Sequence, residues 1–146
     1  MGQLLADTPA TYTISEAGAR TGVSADTLRY YEKAGIMPPV RRDAGGRRQY
    51  SSDDLGWITF VRRLRATGMS MQRIEEYTAM VRAGEGTIAD RRRHLEEHRE
   101  TVIAAIEELT EAVAVLDRKI EHYVAAEEGR DISCSVEPLK HVGELA

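Results

Sequence analysis

The sequence predicts an all-α fold with one small β hairpin, ending in a single long helix. Three observations carry this. Serine and threonine residues recur just ahead of short apolar-periodic segments, which marks helix starts. Two glycines sit between arginine pairs in RRDAGGRRQY, residues 41–50, which marks one tight reversal. From Thr87 to about Ala126 there is neither proline nor glycine, and apolar residues repeat at helical spacing.

The elements follow in chain order. Residues 1–11 carry little pattern and read as a loose arm. Thr13 or Ser15 can cap a first helix over about 14–21, which Gly22 breaks. Ser24 is a suitable cap for a second helix, with Asp26 in the first turn favouring the helix dipole. That helix runs to about Ala34, and Gly35 is placed to close it. Leu28 and Tyr31 face inward with Ile36 beyond, which leaves Thr27, Arg29 and Tyr30 on the other side. Pro38 and Pro39 stop any continuation.

After the hairpin, Ser51 or Ser52 starts a third helix with a Leu55, Ile58, Val61, Leu64 stripe. Gly68 ends it, and Ser70 caps a fourth helix that presents Met71, Ile74, Tyr77, Thr78 and Val81. Gly84-Glu85-Gly86 reads as a flexible joint. In the last helix Leu95, Val102, Ile106, Leu109, Val113, Leu116, Ile120 and Tyr123 form a heptad seam. Forty helical residues span roughly 60 Å. A small front module cannot bury such a stripe, so a second copy of the chain is expected to cover it. Gly129 ends the helix, and the tail to residue 146 has no clear element.

Composition narrows the partners. Net charge is −4, yet residues 1–82 hold 12 basic against 9 acidic side chains, and residues 83–146 hold 8 against 15. A basic front and an acidic rear suggest two modules with different partners. No long apolar run appears, so no membrane span is expected. MGQLLADTPA does not read as a secretory signal. The single cysteine, Cys134, rules out an internal disulfide framework. One Trp and one Phe leave most burial to Leu, Ile, Val, Met and Ala.

Two short helices joined at Gly22, with Arg and Tyr exposed on the second and a basic hairpin after them, form a winged helix-turn-helix pattern. TGVSADTLRYYEKAGI, the G-x-R-x-Y spacing of Gly46, Arg48 and Tyr50, and LRATGMS from Leu64 to Ser70 occur in that order. Together they resemble the MerR family of bacterial transcription regulators over about residues 12–126. The resemblance implies a DNA-binding domain over 12–82 and a dimerisation helix over 87–126 that pairs antiparallel with its twin, with a tail over 127–146. It also implies cytoplasmic action on double-stranded promoter DNA. The dimer binds a palindromic operator between promoter elements held too far apart and bends and untwists it. An effector then alters the distortion so that RNA polymerase engages.

On that reading Ser15, Thr27, Arg29, Tyr30, Arg41, Arg47, Arg48 and Tyr50 are the DNA-contacting residues. Arg29 suits a base edge or a phosphate, Thr27 and Tyr30 a phosphate or a thymine methyl, and the wing residues the backbone. The pattern of helices three to five resembles the aldehyde- and electrophile-responsive subgroup. Some of its members carry a cysteine in the third helix where this chain has Arg63. One thiol per chain cannot build a thiolate metal site within a protomer, so neither a metal nor a cofactor is expected. Cys134 is the candidate effector thiol. His94-Leu95-Glu96-Glu97-His98 fits the H-x-x-E-H spacing of a zinc hydrolase, but on a charged coiled-coil helix both histidines are expected at the surface. No enzyme activity is expected. An architectural DNA-bending protein or repressor without an effector remains the alternative.

Overall fold

A computed structural model of the chain describes residues 9–130. Its elements are β1 (Thr11–Tyr12), α1 (Ile14–Thr21), α2 (Ala25–Lys33), β2 (Arg41–Arg42), β3 (Arg48–Ser51), α3 (Ser52–Ala66), α4 (Met71–Ala83), a 3-10 turn (Glu85–Thr87) and α5 (Ile88–Glu127). The sheet is antiparallel in the order β1-β3-β2. Thr11 pairs with Ser51 and Tyr12 with Tyr50, so the expected loose arm ends in a strand that closes the hairpin's second edge.

The caps explain the helix starts. Thr13 Oγ1 accepts from Glu16 N at 3.2 Å, Ser24 Oγ from Thr27 N at 3.1 Å and Ser70 Oγ from Arg73 N at 3.2 Å. Ser51 and Asp54 form a reciprocal capping box, at 3.1 and 2.9 Å. Thr13 and Ser51, rather than Ser15 and Ser52, are therefore the caps where two candidates stood side by side.

Glycine is required at both ends of the α2 segment. Gly22 has φ 72° and Gly35 φ 74°, in the left-handed region that a side chain disfavours. Each is also roofed by a guanidinium. A Cβ on Gly22 would lie 2.9 Å from Arg62 Nη1, and one on Gly35 3.2 Å from Arg82 Nη1. Those arginines cap what the glycines end. Arg62 donates to Thr21 O at 3.0 Å, and Arg82 to Gly35 O at 2.8 Å.

Leu28, Ile36, Met37, Tyr50, Ile58, Val61, Met69 and Ile74 are almost wholly buried and form one core between the sheet and α1 to α4. The stretch expected as a flexible joint is ordered: Thr87 N donates to Gly84 O and Thr87 Oγ1 to Met80 O at 2.6 Å. The chain divides into two compact units between Val102 and Ile103, so the first compact unit runs past the expected boundary near residue 82. Leu95 packs against the core of that unit. No helix among the described residues is long and apolar enough to cross a membrane.

Ile58 has no exposed surface. Ile58→Ala removes buried methyl groups and leaves a cavity, so it should cost about 2–5 kcal/mol. Urea denaturation at one fixed protein concentration measures this, and a loss below about 1 kcal/mol would place Ile58 outside the packed core.

Candidate nucleic-acid interface

The capped start and glycine-closed end of α2 leave a short helix with one buried edge. Leu28 and Tyr31 face the core, while Arg29 and Tyr30 face out, Tyr30 being 50% exposed. Thr27 is half-buried, and Ser24 Oγ donates to its hydroxyl at 2.8 Å. Arg29 Nη1 lies 2.8 Å from Asp26 Oδ1 in an exposed pair. Such a pair contributes little to stability, so the guanidinium can exchange Asp26 for another acceptor. Ser15 is exposed and lines a shallow groove with Gly18, Gly22 and Ser24 where α1 meets the start of α2.

The wing turn is held by the Asp43 side chain. Asp43 Oδ1 accepts from Gly45 N and Arg47 N, both at 2.9 Å, and Asp43 O accepts from Gly46 N at 3.0 Å. The turn therefore projects Arg41 and Arg47 outward. Among the described residues neither makes a salt bridge. A second shallow groove runs between the wing and the start of α1, lined by Thr13, Ile14, Arg42 and Arg47 among others.

Arg48 and Tyr50 depart from expectation. Both lie on β3, and alternation along a strand puts them on one face. That face turns inward. Tyr50 is fully buried, and burial pushes its phenol pKa up, with the nearby Arg48 opposing. Its ring is a core element rather than a grip on DNA backbone. Arg48 is mostly covered, and its Nε donates to Glu32 Oε1 at 3.1 Å. Sequence reading missed Glu32 and Arg42 as partners in this arrangement, because the 16-position separation of Glu32 and Arg48 follows no local period.

The last helix also departs in part. Ile106, Leu109, Val113, Leu116, Ile120 and Tyr123 are exposed over more than half their surface. Val102 is half-buried, and Leu95 packs against the core of its own chain rather than standing free on the seam. The same turn carries His94 inward, to 8% exposure beside Tyr77, so the expected surface position is corrected. The exposed Ile88 lies one heptad before Leu95 and extends the apolar row toward the helix start.

The two histidines are engaged separately. Arg73 Nη2 lies 3.4 Å from His94 Nδ1 and 3.1 Å from Glu97 Oε2. Thr67 Oγ1 lies 2.7 Å from His98 Nε2 and also within hydrogen-bond reach of Arg63 O and Leu64 O, at 3.1 and 3.0 Å. A guanidinium beside the pair disfavours a cation, and no cluster of three metal-ligating side chains occurs among the described residues. Cys134 lies outside the described residues, and Arg63 is exposed on α3.

Residues 12–81 match the MerR HTH family regulatory protein profile, and residues 55–121 match the MerR DNA-binding profile. An uncharacterised HTH-type transcriptional regulator of Haemophilus influenzae is 35% identical, over 80% of this chain and 86% of its own length. Among solved structures, HiNmlR, a MerR family regulator lacking the sensor domain and bound to promoter DNA, superposes with a TM-score of 0.75. It is 34% identical, over 83% of this chain and 97% of its own. The chain belongs to the MerR family. A further structure assigned to that family, from Listeria monocytogenes, is 38% identical with a TM-score of 0.76, covering 81% of this chain and 92% of its own. The MerR-family chain is thus a helix-turn-helix DNA-binding transcriptional regulator, and the relatives matched here are regulators.

Burial, with Arg73 and His94 adding to it, holds the His98 ring below its ordinary value of 6.5. The unfolded chain then binds this proton more readily than the folded one. Its contribution is present above pH 6.5 and is lost as pH falls below it. The urea midpoint should therefore drop on acidification from about pH 7.5 to about 6, and less so in His98→Gln. Equal drops in both proteins would remove His98 as the cause.

Proposed function

We propose that the chain binds a palindromic promoter operator as a homodimer and controls transcription by distorting that DNA. The observation that carries this is the exposed Arg29 and Tyr30 face of α2, in the same compact unit as a wing that projects Arg41 and Arg47. Thr27 and Ser15 border that face. HiNmlR, at comparable length, was solved on promoter DNA, which supports the same use of the matched surface here. Two recognition helices in a dimer require a two-fold site. Bending a site of this size costs on the order of 1–6 kcal/mol, so several phosphate contacts per half-site are needed alongside base readout.

The exposed α5 stripe supports the homodimer. Covering one Leu or Ile side chain contributes about 1.5–3 kcal/mol. Six such residues in a row, from Ile106 to Tyr123, supply enough to offset the entropy lost on association. RNA polymerase at the promoter is the further partner, and a small-molecule or stress signal the trigger. Reporter transcription from the bound promoter, screened against aldehydes, quinones and cationic drugs, tests the trigger; flat output throughout favours an effector-independent DNA-bending protein.

Arg29→Ala should weaken operator binding by about 1–3 kcal/mol and relax sequence preference at one position. An equal loss on random duplex would assign Arg29 to a phosphate. Leu109→Asp, at a position 67% exposed in the single chain, should halve the sedimenting mass while leaving the helix content of the DNA-binding unit in place. An unchanged sedimentation profile would contradict the seam.

A further inference from the structure

Glu32, on the inner edge of α2, joins the reading helix to both wing strands. Its Oε2 accepts from Val40 N at 2.7 Å, just before β2. Its Oε1 accepts from Arg48 Nε on β3 at 3.1 Å and lies 3.6 Å from Arg42 Nη2 on β2. The carboxylate side chain is only 17% exposed. Arg42 is also tethered at Nη1, which donates to Gly46 O at 3.0 Å in the wing turn.

This arrangement acts in two ways. Mechanically, one rigid carboxylate sets the spacing between α2 and the wing, and a charge-assisted bond to a backbone N–H is among the stronger ties available. Electrostatically, its single negative charge is shared by two of the four wing arginines, which draws both guanidiniums toward α2. Non-specific affinity comes from counterion release and grows with each unmasked cation, whatever the sequence. Specific affinity grows only where groove geometry and base edges fit a fixed arrangement of groups.

We propose that Glu32 is a positioning residue that determines DNA specificity. It fixes the wing against α2 and pairs with Arg42 and Arg48, so that Arg41 and Arg47 are the wing arginines left to meet phosphates without an ion pair. The carboxylate thereby lowers affinity for arbitrary duplex and raises the share of binding that depends on geometry. This rests on the reading of α2 and the wing as the DNA-contacting surface.

The test uses the full chain and two probes: a duplex selected by the wild-type protein from a random pool, and a scrambled duplex of the same composition. Affinities are measured by fluorescence anisotropy from about 50 to about 300 mM salt, where phosphate contacts set the slope. Glu32→Gln should bind the scrambled duplex several-fold more tightly at low salt. Its plot of log affinity against log salt should steepen by about one to two units. Selectivity for the chosen duplex should fall by about tenfold. Glu32→Asp keeps the charge but not the reach, so its slope should stay and its selectivity fall. Arg42→Gln removes a paired charge and should leave the slope unchanged.

Equal weakening of both probes by Glu32→Gln, with no change of slope, overturns the proposal, because support of the helix alone would do that. Should Glu32→Gln lose its circular dichroism signature, the other two variants decide. Unaltered selectivity in Glu32→Asp, or a slope lowered by about one in Arg42→Gln, overturns it. Arg41→Ala and Arg47→Ala separate the two layers. If neither lowers the slope, the DNA-contacting surface is misassigned. If both do while the Glu32 variants stay silent, the clamp alone is wrong.

Discussion

Three consecutive carbonyl oxygens, those of Gly35, Ile36 and Met37, anchor the rest of the DNA-binding unit. Ile36 O accepts from Trp57 Nε1 on α3 at 2.8 Å and from Thr78 Oγ1 on α4 at 3.1 Å. Gly35 O and Met37 O accept from Arg82 at the end of α4. Carbonyls of the loop that follows a helix have no ladder partner, and buried ones must find partners elsewhere. Here side chains from two later helices supply them. The left-handed turn at Gly35 opens this run, where the chain leaves α2. Every exposed residue of α2 inherits its orientation from that anchoring. The reading face is held from its far end and by Leu28 and Tyr31 beneath it.

Around this anchor the charges are sorted by solvation. Arg62 and Arg82 spend their guanidiniums on backbone carbonyls at helix ends. Arg48 and Arg42 share Glu32, and Asp43 uses its negative charge on the wing's own N–H groups. These pairings engage four arginines and two carboxylates, so the cationic character of the front surface rests on particular exposed residues such as Arg41 and Arg47 rather than on an overall excess. The net −4 of the whole chain coexists with a cationic surface because the excess acid sits beyond residue 82.

Legibility in the sequence followed the range of the interaction. Ser24, Ser70, Gly22 and Gly35 act on residues three to five positions away, so their roles could be read directly. The same holds for the helix of 40 residues, whose period repeats without interruption. The inward placement of Tyr50 and Arg48 was not legible because the inner face of a four-residue strand is decided by α2, far away in sequence. His94 and Leu95 lie where the α5 stripe meets the chain's own core, and a heptad pattern alone cannot tell a partner's surface from the chain's own. The short strand at Thr11 and Tyr12 has too few residues to show alternation. Arg82 and Arg62 were invisible for the same reason as Glu32: their acceptors lie more than 40 residues away.

The two ends of α5 therefore live under different conditions. Near its start, Leu95 and His94 are held by packing within the chain, at a strength that dilution does not change. From Ile106 to Tyr123 the apolar row is uncovered within the described residues. In the proposed homodimer its shelter is a matter of mass action, and long isolated helices in water gain most of their stability from whatever packs on them. Under that proposal one continuous helix is constitutive at one end and dependent on copy number at the other, and a cell holding few molecules would carry a different distal helix from a cell holding many.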